Sequence, residues 1–195
     1  MTRLVVVKLG GSFARVPGGL AEAGAAVAEA ARRRPLLVVP GGGALADAVR
    51  TLDRELALPA STAHWMAILA MDQYAHAVAV HLPNALVVHD GAEIASALEQ
   101  GGIPVLAPYR WMLAADVLPH RWEVTSDSVA AFVAGALDAE LLVLLKPVSG
   151  PVEVLVDPCF GEVRPAGLSV AIVGAGELSR LAEVVAGGGG NRLSG

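Results

Sequence analysis

The stretch Val5-Val6-Val7-Lys8-Leu9-Gly10-Gly11-Ser12 combines an apolar run with one lysine and two glycines. The apolar residues predict a buried β-strand, and the glycines predict that it ends in a sharp turn. The N–H groups of such a turn can approach phosphate oxygens closely, and a nearby lysine adds a positive charge. The stretch therefore indicates a polyphosphate site, although no G-x-x-x-x-G-K-[ST] motif occurs in the sequence. A buried strand that merely ends in a Gly-Gly turn, with the lysine reaching to solvent, explains the same residues equally well.

The composition is typical of a compact α/β protein whose strands are buried on both faces. Of the 195 residues, 54% are hydrophobic and 17% are charged. The formal net charge of −5 argues against a nucleic-acid partner, which normally binds a basic surface. The single cysteine, Cys159, argues against an intramolecular disulfide and a multi-cysteine zinc site. With no signal peptide and no apolar run of transmembrane length, we expect residues 1–195 to form one cytoplasmic domain with no membrane partner.

A second apolar run, residues 36–39, is followed by Gly41-Gly42-Gly43 and a predicted helix over 44–56. With another predicted helix between the two strands, this order indicates a right-handed parallel βαβ unit. Its two glycine turns are expected at the carboxyl ends of the strands, where open α/β sheets bind ligands. Gly41-x-Gly43-x-x-Ala46 also matches a dinucleotide fingerprint, but a long helix follows in place of the expected strand. The missing strand therefore disfavours a dinucleotide-dependent oxidoreductase, which only the glycine pattern suggests.

Further along the chain, strands are predicted over residues 85–89, 103–107, 141–145, 152–156 and 169–173. The strand over 141–145 leads into Lys146, so a second lysine precedes a turn, as Lys8 does. Ser126 is predicted to cap a helix, which places Asp127 in its first turn. The helix dipole alone stabilises a carboxylate there, so Asp127 also has a purely structural interpretation. The glycine-rich residues 187–190 are predicted to be either a connector or a tight turn.

The predicted helix over residues 59–81 is apolar on more than one face, which is typical of a core or interface helix. We therefore expect a homo-oligomer, either a dimer or a trimer or hexamer. His64 and Asp72 are polar groups on this helix and need partners. Residues 108–122 hold two of the three tryptophans and two arginines. That segment is either a ligand wall or a connection anchored to the core by its tryptophans.

Four short motifs follow one another along the chain. They are Lys8-Leu9-Gly10-Gly11-Ser12, Gly41-Gly42-Gly43, Thr125-Ser126-Asp127-Ser128 and Lys146-Pro147-Val148-Ser149-Gly150. Together they resemble the amino acid kinase family, whose members carry K-x-G-G-S, G-G-G, Ser/Asn/Thr-x-Asp and x-V-x-G in this order. The resemblance implies a three-layer α/β/α sandwich with a mainly parallel central sheet of about eight strands. Residues 63–74 and 118–127 further resemble the kinase-like enzymes of methanofuran and methylofuran biosynthesis.

The family resemblance implies an ATP-dependent kinase that acts on a small molecule. Mg²⁺ would be bound mainly by phosphates and water, so no protein metal site is expected. The narrower resemblance implies phosphorylation of an aminomethylfuran phosphate to its diphosphate, in the biosynthesis of a one-carbon carrier. The alternatives are a kinase that forms an acyl phosphate and a nucleotide-binding storage protein of the same fold.

The resemblance also implies roles for individual residues. Catalysis is assigned to Lys8, Asp127 and Lys146, with Asp127 orienting the ammonium groups of the two lysines. ATP binding is assigned to Lys8, Gly10, Gly11, Ser12, Lys146, Ser149 and Gly150. Acceptor binding is assigned to Gly41, Gly42, Gly43, His64, Asp72, Arg110 and Ser126. The family's later Gly-Gly-Met-x-x-Lys segment is absent and the chain has only two lysines, so Lys146 is expected to be the second cation, with Arg110 as the alternative.

Overall fold

The computed structural model describes residues 3–187, within which six strands form one parallel sheet. The strands are β1 (Val5–Leu9), β2 (Leu36–Pro40), β3 (Ala85–Val88), β4 (Ile103–Leu106), β5 (Leu141–Lys146) and β6 (Ser169–Gly174). Their order in the sheet is β3-β4-β2-β1-β5-β6, and every pairing is parallel. The predicted βαβ unit at the start of the chain is present, because β1 and β2 are parallel neighbours.

Helices connect the strands. The α-helices are α1 (Gly19–Ala31), α2 (Gly43–Leu56), α3 (Ala60–Ala79), α4 (Gly91–Glu99), α5 (Tyr109–Ala115), α6 (Ser126–Ala136), α7 (Val152–Leu155), α8 (Phe160–Val163) and α9 (Leu181–Gly187). Two 3₁₀ helices, Gly11–Arg15 and Ala175–Arg180, follow β1 and β6. None of the helices described here has the length and apolar character that a membrane crossing requires.

The sheet separates two hydrophobic cores, because successive side chains of a strand point to opposite faces. Val5 and Val7 of β1 pack with α1 and α9, whereas Val6 packs in the core that α6 covers. The longest helix, α3, contributes Ile68 to the second core and Val78 to the first. The predicted three-layer α/β/α sandwich is thus confirmed.

Two details of the predicted architecture differ. Six strands are found among the described residues where about eight were expected, and residues 152–156 do not form the predicted strand. That segment contains the short helix α7, and its Val154 is 75% exposed. Both hydrogen-bonding edges of β5 are taken by β1 and β6, so residues 152–156 cannot pair with it. Of the glycine-rich segment 187–190, Gly187 ends α9 and the rest lies outside the described residues.

Candidate active site

The carboxyl ends of β1, β2 and β5 meet at one edge of the sheet, because the three strands are parallel neighbours. A glycine turn follows β1 and another follows β2. Gly41 N–H donates to Leu9 O at 2.8 Å, which ties the second turn to the first strand. A Cβ atom on Gly11 would lie 2.3 Å from Gly43 N, so the two turns are in contact and leave no room for a side chain. Gly43 also has φ 54°, a conformation that glycine adopts without strain.

One carboxylate joins the two lysines beneath these turns. Lys8 Nζ lies 2.9 Å from Asp127 Oδ1, and Lys146 Nζ donates to Asp127 Oδ2 at 2.5 Å. The exposed fractions of the side chains are 6% for Lys8, 4% for Asp127 and 14% for Lys146. A Cβ atom on Gly10 would lie 3.6 Å from Lys8 Nζ, which places this ammonium group directly below the first glycine turn. We call Lys8, Asp127 and Lys146 the lysine–aspartate cluster.

Burial and charge act against each other in this cluster. Burial lowers the pKa of Lys8 below its ordinary value of 10.5; Asp127 opposes that change and Lys146 reinforces it. Burial alone would raise the pKa of Asp127, but the two ammonium groups outweigh it and hold the pKa below its ordinary value of 3.8. Asp127 is therefore a carboxylate at neutral pH, and its charge favours the protonated form of Lys8.

Two residues outside the cluster hold the first turn of α6, which carries Asp127. Thr125 caps the helix, because its Oγ1 accepts a hydrogen bond from Asp127 N–H at 3.3 Å; the predicted cap, Ser126, is the first helical residue. Asp157 accepts hydrogen bonds from the N–H groups of Thr125 and Ser128 at 3.1 and 3.0 Å. The sequence did not single out Asp157, because one aspartate before a proline carries no distinctive pattern.

A cavity of about 320 Å³ opens beside the two glycine turns. Its floor is apolar and includes Ile68 and Met71 of α3 and Val129 of α6. Its polar lining includes several residues that the sequence assigned to ligand binding, namely Gly11, Ser12, Gly41, Gly42, Gly43, His64 and Ser126. The two glycine turns and the start of α6 thus contribute to one concave site, as is common for small-molecule sites.

Charged residues that the sequence did not single out also line this cavity. Asp47 forms ion pairs with Arg15 and, at 3.5 Å, with Arg50. The Arg50 guanidinium lies 4.9 Å from the centre of the Trp122 ring, a cation–π arrangement. Trp122 Nε1–H in turn donates to Asp53 at 2.6 Å. Trp122 belongs to the segment proposed as a ligand wall, and it does line the cavity.

His64 forms part of an aromatic cluster at the cavity wall. Its ring stacks on His120 with centroids 4.3 Å apart and meets Trp65 edge-on at 4.8 Å. Burial, followed by the charge of His120, lowers the pKa of His64 to about 4, so its imidazole is neutral near pH 7. His120 Nε2 lies 2.8 Å from Asp116 Oδ1. A neutral imidazole can donate one hydrogen bond and accept another from a ligand in the cavity.

Seven residues assigned to binding do not line this cavity. Three of them, Lys8, Lys146 and Gly10, belong to the lysine–aspartate cluster and the glycine turn above it; the other four lie elsewhere. Asp72 accepts a hydrogen bond from Tyr109 N–H at 2.8 Å, and burial raises its pKa. Arg110 pairs with Asp90 and Glu93, away from the lysine–aspartate cluster. Ser149 accepts from Gly174 N–H at 3.0 Å and donates to Glu177, and Gly150 is exposed in the turn after β5. Their assigned roles stay predictions, and the structure places Asp72 and Arg110 in other contacts.

The parallel sheet and the motifs at its carboxyl edge define the class of protein. The chain belongs to the amino acid kinase family, which matches residues 3–150. That range contains Lys8, Asp127, Lys146 and both glycine turns.

Individual relatives are named as kinases. The chain is 26% identical to [5-(aminomethyl)furan-3-yl]methyl phosphate kinase of Methanocaldococcus jannaschii. The alignment spans 183 residues and covers 92% of this chain and 78% of the relative. The UMP kinase of Bacillus anthracis has a similar structure, with a TM-score of 0.70 and 13% identity over 93% of this chain and 92% of that one. The uridylate kinase of Archaeoglobus fulgidus superimposes with a TM-score of 0.60 and 23% identity, over 77% of this chain and only 65% of that enzyme. These comparisons confirm the prediction that the protein is a kinase of this family.

Proposed function

We propose that this kinase transfers a phosphoryl group from ATP·Mg²⁺ to a small phosphate monoester of the aminomethylfuran type and so forms a diphosphate. The observation that carries the proposal is the position of the cavity. It is lined by Gly11 and Ser12 of the turn proposed for ATP and by the Gly41–Gly43 turn proposed for the acceptor. A monoester held there would have its phosphate beside the donor turn. The name of the archaeal relative supports the choice of acceptor.

The residues at this edge of the sheet fit a nucleoside triphosphate. Two ammonium groups share one carboxylate, so the lysine–aspartate cluster carries one positive charge in excess. Gly10, Gly11 and Ser12 place a turn without large side chains directly above Lys8. Ser149 and Gly150 follow Lys146 at the end of β5 and are proposed to contact the nucleotide. When bound, ATP supplies the transferable phosphoryl group and Mg²⁺ neutralises part of its charge.

The chain's own contribution to the reaction is positioning and charge. Asp127 contacts the ammonium groups of Lys8 and Lys146 and fixes their positions, so that they stabilise negative charge without having to reorganise. Phosphoryl transfer needs little covalent assistance from the protein, and aligned reactants with neutralised charge provide most of the rate. We assign no general base, because an ionised phosphate monoester is already a nucleophile.

The cavity provides complementary contacts for the acceptor. The N–H groups of Gly42 and Gly43 lie at the start of α2, where the helix dipole favours a phosphate. Arg15 and Arg50 can exchange their contacts with Asp47 for contacts with the ligand. Trp122 and the neutral His64 are suited to a small aromatic ring, which a furan provides. Ser126 adds a hydroxyl at the start of α6.

An acceptor panel tests the proposal. Purified protein with ATP·Mg²⁺ is incubated with the aminomethylfuran phosphate, the corresponding alcohol without phosphate, UMP, acetylglutamate or aspartate. We expect ADP release and a ³¹P diphosphate signal with the furan monoester and not with its alcohol. Hydroxylamine distinguishes the acyl-phosphate alternative, because it traps acyl phosphates and leaves diphosphates unchanged. Formation of a hydroxamate, or efficient turnover of UMP alone, would overturn the proposed acceptor.

The homo-oligomer and the cytoplasmic location remain predictions. Leu69 of α3 and Val80, which directly follows the helix, are 39% and 80% exposed, although α3 contributes to both cores. We infer that this exposed apolar surface contributes to a subunit interface. Light scattering at micromolar concentration checks this, and a monodisperse monomer would contradict it.

A further inference from the structure

Asp157 is a buried carboxylate with an unusually complete set of hydrogen bonds. It lies between α7 and α8 and is 8% exposed. Its Oδ2 accepts from Thr125 N–H at 3.1 Å, from Thr125 Oγ1–H at 2.8 Å and from Ser128 N–H at 3.0 Å. Its Oδ1 accepts from Ser128 Oγ–H at 2.6 Å and from Cys159 N–H at 3.0 Å. Five donated hydrogen bonds satisfy both oxygens of a carboxylate, so Asp157 does not need a direct contact with a cation.

Four of these five hydrogen bonds come from the residues that flank Asp127. Thr125 precedes Asp127 by two residues and caps its helix, and Ser128 follows it directly. The Asp127 carboxylate is held by Lys8 and Lys146, whereas the backbone that carries it is held by Asp157. A displacement of this first helical turn would therefore move the Asp127 carboxylate away from both ammonium groups.

We propose that Asp157 is a positioning residue for phosphoryl transfer: it fixes the first turn of α6 and so holds the Asp127 carboxylate between the two lysines. The proposal rests on the proposed role of the lysine–aspartate cluster. The family match covers residues 3–150. Asp157 lies beyond that range, in the segment between α7 and α8.

The electrostatics of Lys8 agree with this arrangement. Burial lowers the pKa of Lys8, Asp127 raises it and Lys146 lowers it, and Asp157 adds a further effect that raises it. These are the charged groups that face Lys8 from α6, β5 and the α7–α8 segment. Removal of the Asp157 charge should therefore lower the pKa of Lys8 further, and so should any displacement of Asp127 that follows from it.

Asp157→Asn is the variant that tests the proposal. The amide removes the charge and keeps most of the contacts, because its oxygen can replace Oδ2 while its NH₂ group faces the Ser128 hydroxyl, which can turn to accept. Only the bond from Cys159 N–H has no substitute in this orientation. The matched control is Glu140→Gln, which removes a partly buried carboxylate at the opposite edge of the sheet, where it pairs with Arg34.

The readout is the titration of Lys8, because Lys8 and Lys146 are the only lysines in the chain. ¹³C-labelled lysine gives two side-chain NMR signals, and the Lys146→Arg variant assigns them. We expect Asp157→Asn to lower the pKa of Lys8 and Glu140→Gln to leave it unchanged. We also expect kcat of Asp157→Asn to fall about 10²-fold with KM nearly unchanged, the size of effect that a small misplacement of catalytic groups produces.

A wild-type titration of Lys8 in Asp157→Asn would overturn the proposal, whatever happens to its stability. The titration needs no substrate, so its result stands even if the acceptor panel shows the proposed function to be wrong. If Asp157→Asn does not fold, the double variant Thr125→Val/Ser128→Ala removes the two hydroxyl donors and keeps the Asp157 charge. We then expect reduced kcat with KM nearly unchanged, and wild-type kcat in a folded double variant would overturn the proposal.

Discussion

Two ion clusters lie at opposite edges of the same sheet and differ in how their charges balance. At the carboxyl edge, two lysines share Asp127. At the amino edge, Arg34 pairs one-to-one with Glu140 at 2.7 Å, and its guanidinium also donates to Arg3 O at 2.7 Å. Both clusters connect segments that are distant in sequence. Only the lysine–aspartate cluster keeps one positive charge in excess among its contacting groups, and only it lies beside turns without side chains. A structural ion pair neutralises itself, whereas a cluster that serves an anionic ligand leaves charge available.

The change expected to have the largest effect is Asp127→Asn. It removes the one group that holds both lysines, so we expect turnover to fall by about 10³-fold or more, beyond the loss of a single donor. The buried ammonium groups also lose their partner, which should destabilise the fold by about 3–5 kcal/mol unless they release protons. kcat at saturating ATP and the thermal midpoint are measured on the same sample. An Asp127→Asn variant that is destabilised but fully active would make this cluster structural, like the Arg34–Glu140 pair.

Lys8→Ala should have a somewhat smaller effect on turnover. The variant removes one ammonium group and leaves Asp127 paired with Lys146, so we expect about a 10²-fold loss in kcat while the protein stays folded. Steady-state kinetics and circular dichroism check the two parts of this prediction. Unchanged turnover would remove Lys8 from the catalytic assignment.

Stability and turnover should depend on pH through different residues, stability through Asp127 and kcat through Lys8. Asp127 has a lowered pKa in the folded protein, so its stabilising effect is present above the unfolded value near 3.8 and is lost as the pH falls through the folded pKa. We expect wild-type stability to fall below about pH 4, and this component should be missing in Asp127→Asn. Lys8 must be charged to act on phosphate, so kcat should fall as the pH rises, starting below the 10.5 of a free lysine. Urea titrations and kcat profiles across pH measure the two effects, and coincident stability profiles for both proteins would contradict the first.

The smallest effect is expected at the other edge of the sheet. Glu140→Gln removes a charge from a pair whose side chains are 10% and 33% exposed, so about 1–2 kcal/mol of stability should be lost. kcat should be unchanged, because Arg34 and Glu140 do not line the cavity. Chemical denaturation and steady-state kinetics measure both quantities. A marked loss of kcat would mean that the two ion clusters are coupled through the sheet.

Much of the fold and part of the site could be predicted from the sequence. Apolar runs that end at glycines mark β1 and β2, and parallel pairing then brings their turns to one edge. The order of the four motifs predicted that Lys8, Asp127 and Lys146 belong together, and the structure places them in contact.

The rest depends on contacts that local patterns do not encode. Arg110 follows β4, which β2 separates from β1, so it lies away from the lysines and pairs with Asp90. Asp157 contacts residues about thirty positions earlier in the chain, and it directly follows a segment that was predicted to be a strand. Arg15 and Arg50 look like ordinary surface residues in the sequence, and only the packing of α2 beside the first turn places them at the cavity.

The position of Trp122 makes the cavity optically observable. Its indole is hydrogen-bonded to Asp53 and covered by the Arg50 guanidinium, so its surroundings depend directly on what occupies the cavity. Trp65 contacts His64 and Tyr109 and does not line the cavity. Intrinsic fluorescence of a variant that keeps Trp122 as its single tryptophan would therefore report occupancy in real time, without a labelled substrate and before any bond is broken.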